Sequence, residues 1–171
     1  MAGGITESVL SLEEAVAWRQ ELRSQNKKLV VTDGCFDGLQ RGHIEFLNEC
    51  IVFGDAMLIL VKSDAVVRAL KGDNNPANAA GKRAVALCRL KSVDKAVIFD
   101  SADCHNEITA LKPDIYVKGG NHTLETLNKL ERNALLESGT VICFKPFVKV
   151  ASSDNIVKKS SKKSKIKDCI K

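Results

Sequence analysis

Five short apolar runs recur along the chain, at residues 29–32, 56–61, 95–99, 115–117 and 141–144, and each is separated from the next by a segment long enough for a helix. Runs that are apolar throughout, without alternation, describe strands buried on both faces. Strands joined through helices pair in parallel, because a parallel neighbour needs a crossover of a dozen or more residues. The pattern predicts a single α/β domain built on a parallel five-stranded sheet with helices on both faces.

The helices announce themselves by caps and period. Ser11-Leu12-Glu13-Glu14 is a capping-box sequence, and Leu12, Ala15, Val16 and Leu22 follow at helical spacing. A helix is expected over 42–53 with Ile44, Leu47 and Ile51 inward, stopped by Gly54. Ser63-Asp64 caps the helix that carries Val66, Val67 and Leu70. Residues 71–80 read as a polar loop. Further helices are expected at 81–92, 104–111 and 124–137, and a short one near Asn155.

With 171 residues the chain suits one domain that can bury a core. The net charge of +5 is unevenly placed: residues 158–171 carry seven lysines and one aspartate, leaving −1 on the rest. This lysine–serine segment has too few apolar residues for a core and reads as a disordered, solubilising tail. A weak contact with nucleic acid is the sharper alternative for it, and no nucleic-acid partner is expected of the body. No apolar run approaches the ~20 residues that span a bilayer, and residues 1–7 lack a secretory pattern, so a cytoplasmic location is expected and no membrane partner. Six scattered cysteines (35, 50, 88, 104, 143 and 169) then read as reduced thiols, and without a CxxC no zinc or other metal ligand set is assigned. Cys104-His105 reads as helix surface.

Ligands of parallel sheets bind outside the carboxyl ends of the strands, so chemistry is sought in the segments that follow them. After the first run comes Asp33-Gly34-Cys35-Phe36-Asp37-Gly38-Leu39-Gln40-Arg41-Gly42-His43. Gly34 and Gly38 permit a tight loop, Gly42 lets backbone approach a ligand, and His43 falls in a helix first turn, where free N–H groups favour phosphate. An ordinary βα turn is the alternative. After the fourth run, Lys118-Gly119-Gly120 combines a cation with backbone open to close approach, or is a plain glycine turn. After the fifth, Ser152, Ser153 and Asn155 are phosphate donors or a helix cap. Lys71 and Arg83 are phosphate clamps or solvated charges.

Taken together these residues resemble the HxGH nucleotidyltransferase superfamily, written T-x-G-x-F-D-x-x-H-x-G-H, and within it the adenylyltransferase domain of the bacterial heptose 1-phosphate enzyme. Thr32, Gly34, Cys35, Phe36, Asp37, Gly42 and His43 match the first motif. Ser63-Asp64, Arg68, Lys71-Gly72, Pro76 and Arg83 match the middle of the pattern, Val117 to Gly120 its V-K-G-G motif, and Ser152-Ser153 with Asn155-Ile156 its S-T-T-S/N-I segment. The likeness runs from about Ser11 to Lys158. It implies a Rossmann-like, doubly wound sheet, with 1–10 as an N-terminal arm, 11–157 as the nucleotidyltransferase domain and 158–171 as a tail.

The resemblance also implies the chemistry. A sugar phosphate or similar small phosphate attacks the α-phosphate of a nucleoside triphosphate, ATP favoured and CTP the alternative, and pyrophosphate leaves. His43, Gln40 and Lys118 are the implied catalytic residues. Gly34, Cys35, Phe36, Asp37, Gly42, Lys71, Arg83, Gly119, Gly120, Ser152, Ser153 and Asn155 hold nucleotide or phosphate. Mg²⁺ shields the triphosphate, and a homodimer is common among relatives. Gln40 stands where the family has its first histidine, Asp33 where relatives have Asn, Asn75 where an Arg precedes the proline, Asn121-His122 where they have Asp-Tyr, and Asp154 adds a negative charge beside Ser152-Ser153. A catalytically impaired nucleotide-binding or scaffolding relative is the alternative function, and a cytidylyltransferase acting on glycerol 3-phosphate or another alcohol phosphate is a further one.

Overall fold

A computed structural model describes residues 4–146 and 169–170. A 3₁₀ turn, Ile5–Ser8, leads into β1 (Val9–Leu10) and α1 (Leu12–Ser24). Then follow β2 (Leu29–Gly34), α2 (Arg41–Ile51), β3 (Ala56–Lys62), α3 (Asp64–Lys71), α4 (Ala80–Cys88) and β4 (Lys95–Phe99). α5 (His105–Leu111), β5 (Ile115–Gly119), α6 (Lys129–Glu137), β6 (Val141–Lys145) and β7 (Cys169–Ile170) complete the described chain.

The strands form one sheet in the order β1-β4-β3-β2-β5-β6-β7. The five expected strands are its parallel centre. Two more strands extend the expected five to seven: β1 lies parallel to β4, and β7 runs antiparallel to β6. Each has two residues, too short to show a period in sequence. From β2 the chain winds outward through β3 to β4, then returns to place β5 and β6 on the other side of β2. The order therefore reverses between β2 and β5, the topological position at which doubly wound sheets bind ligands.

Both faces of the sheet are covered, as continuous apolar strands require. Leu58 and Leu60 of β3 share a core with Leu22 of α1, Leu111 of α5 and Leu135 of α6. The alternate residues Met57, Ile59 and Val61 share the opposite core with Phe46 and Leu47 of α2 and Leu87 of α4. Pleating sends successive side chains to opposite faces, so one strand feeds both layers.

The capping box forms: Glu14 N–H donates to Ser11 Oγ at 3.2 Å, and Ser11 N–H to Glu14 Oε2 at 2.8 Å. α4 and α6 are shorter than their periodic patterns. Asn128 caps α6 by accepting from Leu130 N–H at 2.8 Å, so residues 124–128 form a turn ahead of it. Arg19 lies buried on the inner side of α1, its guanidinium 2.9 Å from Asp114 and donating to the Leu111 and Lys112 carbonyls.

Two readings of the cysteines are corrected. Cys143 and Cys169 form a disulfide, where reduced thiols were expected. The antiparallel register of β6 and β7 sets the two residues directly opposite, with Cα atoms 4.1 Å apart, a proximity invisible in a separation of 26 residues. This also places residues 169–170 of the expected disordered tail in the sheet. Cys104 is fully buried, not helix surface, because it precedes α5 facing Tyr116, whose hydroxyl is 3.3 Å from its sulfur. The helix expected near Asn155 lies outside the described residues.

Candidate active site

The carboxyl ends of β2, β3 and β5 and the start of α2 surround a cavity of about 370 Å³ at the reversal point. It is lined by Asp33, Gly34, Cys35 and Phe36 from β2 and its loop, His43 from α2, Lys62 from β3, Lys71 from α3, and Lys118, Gly119 and His122 from β5 and beyond. The segments after the first and fourth apolar runs thus converge on one cavity. Ser152, Ser153, Asn155 and Asp154 lie outside the described residues.

The loop after β2 is shaped by Phe36, whose φ of 50° lies in the left-handed region that side chains rarely adopt. That turn folds its ring back under Gly34, where an added Cβ would stand 2.8 Å from Phe36 Cε2. Gly34 is therefore a requirement of the loop. The same ring meets the His43 imidazole edge-on, with centroids 5.9 Å apart. Asp37 does not face the cavity floor. Its carboxylate accepts from the backbone N–H groups of Ala77 at 2.6 Å and Asn78 at 3.0 Å, tying this loop to the one before α4. Those N–H groups, Ala77's first, hold its carboxyl below the usual aspartate value.

His43 is oriented by backbone. The Gln40 N–H donates to its Nδ1 at 3.1 Å, so the proton of the neutral ring sits on Nε2. Burial, assisted by the charge of Lys71, lowers the imidazole pKa from its ordinary 6.5. At neutral pH His43 is thus a neutral N–H donor in a fixed tautomer, one of the walls of the cavity. Gln40 is exposed at the N-terminus of the same helix. Gly42 lies between them in the first turn.

Lys118 projects from β5 into a set of buried charges. Its ammonium is 2.9 Å from Asp33 Oδ1 and 2.8 Å from Glu131 Oε1 of α6. The Tyr116 hydroxyl lies 2.6 Å and 2.8 Å from the same two oxygens. Lys62 approaches the other oxygen of Asp33 at 3.5 Å. Burial works against charge on Lys118, but Asp33 and Glu131 outweigh it and raise its pKa. Burial likewise opposes ionisation of Asp33, and the ammonium groups of Lys118 and Lys62 override it and hold the carboxyl below its ordinary value. Two cations and two anions leave the floor nearly neutral. Lys71, exposed at the end of α3, adds positive charge at the rim.

Arg83 is not a solvated charge. It is 2% exposed, and its guanidinium donates to the carbonyls of Cys35, Asn78 and Lys62 and to Asp64 Oδ1, the last two at 2.8 Å. It ties the loops after β2 and β3 to the start of α4. Gly120, at φ 97°, takes a backbone conformation that favours glycine and donates its N–H to the Lys145 carbonyl at 2.9 Å.

Sequence reasoning missed Lys62, Tyr116 and Glu131. Lys62 and Tyr116 end or interrupt apolar runs, and Glu131 sits in a helix with no local signal of a ligand role. Asp33, noted as a departure from Asn, was the visible clue to a buried cation nearby. Asp33, Glu131 and Cys104 lie close enough to suggest a metal site, with one donor atom from each within 4.8 Å of the others. They do not fit Mg²⁺: the Lys118 ammonium already bonds both carboxylates, and a thiol is a poor ligand for a hard cation.

The fold and this cavity define a nucleotidyltransferase-type domain, and the chain belongs to the cytidylyltransferase-like family, whose model matches residues 31–166. Among curated proteins it is similar to the bifunctional protein HldE of several bacteria. It is 38% identical to that of Wolinella succinogenes over 120 residues, covering 70% of this chain and 25% of that one. It is 42% identical to that of Campylobacter fetus over 120 residues, with the same shares of 70% and 25%. It is 36% identical to that of Methylococcus capsulatus over 136 residues, covering 80% and 28%. The chain spans about a quarter of the length of these relatives. The lipopolysaccharide core biosynthesis protein of Thermoplasma volcanium shares the fold, with a TM-score of 0.58 and 24% identity over 71% of this chain and 96% of that one. So does pantoate-beta-alanine ligase of Francisella tularensis, at 0.51 and 13%, over 81% and 66%. Among the described residues no helix is long and apolar enough to cross a membrane.

Proposed function

We propose that this domain transfers a nucleotidyl group, adenylyl in preference to cytidylyl, from a nucleoside triphosphate to a sugar phosphate or similar small phosphate. The observation that carries the reading is the cavity at the β2–β5 reversal, walled by a tautomer-fixed His43, by Lys71 and by the Gly119 backbone. An oxygen of the acceptor phosphate forms a bond to the α-phosphorus as the bond to the bridging oxygen of pyrophosphate breaks. The His43 Nε2–H donates to the oxygen on which charge builds, Gly119 gives the phosphates backbone access, and Lys71 offers a cation at the rim. The resemblance assigns Lys118 a phosphate contact. Its bonds to Asp33 and Glu131 support a positioning role instead, holding β5 and its glycines against β2. Mg²⁺ would arrive with the triphosphate, whose own oxygens ligate it. The preference for adenylyl transfer rests on likeness to the heptose-enzyme domain, and a cytoplasmic location follows from the triphosphate supply such a reaction needs.

A second reading, a nucleotide-binding relative without turnover, is favoured by one observation: the cation expected to serve phosphate already has two carboxylate partners. Both readings require triphosphate binding. A triphosphate at about 100 times its Kd should add roughly 2.7 kcal/mol of stability. With Mg²⁺ present, the melting temperature should rise, more with ATP than with CTP. No shift with any triphosphate at millimolar concentration contradicts both readings.

A further inference from the structure

We infer that His122 is a second catalytic imidazole of the proposed transfer, reaching the phosphates from the end of β5 and supplying the imidazole that position 40 lacks. The inference rests on the nucleotidyl-transfer reading and adds a residue to its chemistry.

The chain has three histidines, and two of them, His43 and His122, line the cavity at the reversal point. They arrive from the two neighbouring strands between which the sheet order reverses: His43 follows β2 in the first turn of α2, and His122 follows β5. Gln40, the N-cap residue of α2, is exposed and is not among the residues that wall the cavity. Where the family motif draws two imidazoles from one segment, this chain draws one from each of two strand ends.

The backbone explains why His122 stays at the cavity. Ahead of it, Gly120 turns at φ 97° and donates its N–H to the Lys145 carbonyl of β6 at 2.9 Å. Behind it, Thr123 N–H donates to Thr126 Oγ1 at 2.8 Å, and Thr126 N–H donates to the Thr123 carbonyl at 3.1 Å. Only Asn121 and His122 lie between these two anchors. The His122 ring is exposed and has no hydrogen-bond partner among the described residues, whereas His43 accepts from Gln40 N–H and His105 bonds Asp103. An imidazole keeps at least one N–H donor in either protonation state. Held at a wall shared with Lys62 and Lys71, that donor is open to an anionic ligand.

In the transfer, an electron pair of the acceptor phosphate oxygen forms the bond to the α-phosphorus, and the pair of the broken bond leaves on the bridging oxygen of pyrophosphate. His43 and His122 each donate a hydrogen bond to an oxygen that gains charge, and each ring keeps its proton. Position 40 caps the helix end where free N–H groups favour phosphate, so an imidazole placed there would serve the same charge.

The test uses the full chain as wild type, His122→Ala, Gln40→His and the double variant. Pyrophosphate release from ATP with Mg²⁺ and a panel of sugar phosphates gives kcat, and calorimetry gives ATP affinity. His122→Ala should lower kcat about a hundredfold, with ATP affinity and melting temperature little changed. Gln40→His should raise kcat by a larger factor in the His122→Ala chain than in wild type, because effects of residues that share a partner are not additive. Equal factors in the two backgrounds overturn the inference. So does a His122→Ala chain that turns over as wild type does, or one whose loss of rate tracks a loss of melting temperature. A second readout needs no turnover: ATP with Mg²⁺ should move the ring NMR signals of His43 and His122 and leave that of His105, which lies outside the cavity. ATP that moves His43 alone overturns the inference and leaves the transfer reading standing. Both rings moving in a wild type that releases no pyrophosphate overturns the transfer reading, and the catalytic role of His122 with it.

Discussion

The backbone N–H of Gln40 donates to Nδ1 of His43 at 3.1 Å, so the residue that replaces the family's first motif histidine still sets the tautomer of the second, through its main chain. That bond comes from the main chain, so it does not depend on which side chain stands at position 40. Gln40→His should add a donor that can carry charge, and charge-assisted hydrogen bonds are about twice as strong as neutral ones. The expected result is a higher kcat with triphosphate affinity little changed, the signature of a contact made in the transition state. A fall in rate would show that the glutamine has its own role. Steady-state kinetics of the two forms decide it.

His43 should titrate below the 6.5 of an ordinary imidazole, because burial first and Lys71 second disfavour its charged form. The unfolded chain then binds a proton at a pH where the folded chain does not. Stability is unaffected above 6.5 and falls as pH drops below it. Ring chemical shifts followed by NMR give the midpoint directly. His43→Asn should flatten the loss of stability on that acid side.

The Lys118–Asp33–Glu131 cluster should matter to stability as much as to rate. Lys118→Met leaves Glu131 without its cation and Asp33 with Lys62 alone, at 3.5 Å, each carboxylate being 5% exposed at the side chain. Breaking a buried pair in this way costs about 3–5 kcal/mol. The melting temperature should fall, and Glu131→Gln in the same chain should restore part of it by removing the orphaned charge. The folded pKa of Asp33 is lowered, so its contribution is present above its ordinary 3.8 and is lost as pH falls through the lower folded value. Acid-unfolding curves of wild type and Asp33→Asn should differ there.

Arg83 gives a sharp contrast between scaffold and clamp. Its guanidinium spans three carbonyls and the Asp64 carboxylate, which an ammonium cannot reproduce. Arg83→Lys should therefore destabilise the domain by ~2 kcal/mol or more, since each unpaired buried polar group costs about 1–3 kcal/mol. Denaturant titration measures this. A variant of wild-type stability that binds triphosphate weakly would restore the clamp.

The parallel centre of the fold was legible because buried strands must be apolar throughout and must be joined by helices. The site's backbone was legible for the same reason: glycines and His43 follow strand ends, and strand ends converge in a doubly wound sheet. What was not legible depends on contacts between distant segments. Nothing local marks Glu131 as the partner of Lys118, or Arg83 as buried, since a charge on a helix reads as solvated until its partners are in view. β1 and β7 are too short for a period, and the opposition of Cys143 and Cys169 exists only in the register of an antiparallel pair.

The central claim is nucleotidyl transfer assisted by His43. It is tested most directly by pyrophosphate release from ATP, with Mg²⁺ and a panel of sugar phosphates, compared between wild type and His43→Ala. Removing a single transition-state donor typically costs about 10²–10³ in rate. Acceptor-dependent pyrophosphate release that falls by this factor in the variant, with the fold intact by circular dichroism, is the predicted result. A variant that turns over as wild type does, or a wild type that releases no pyrophosphate with any triphosphate and acceptor, would contradict it.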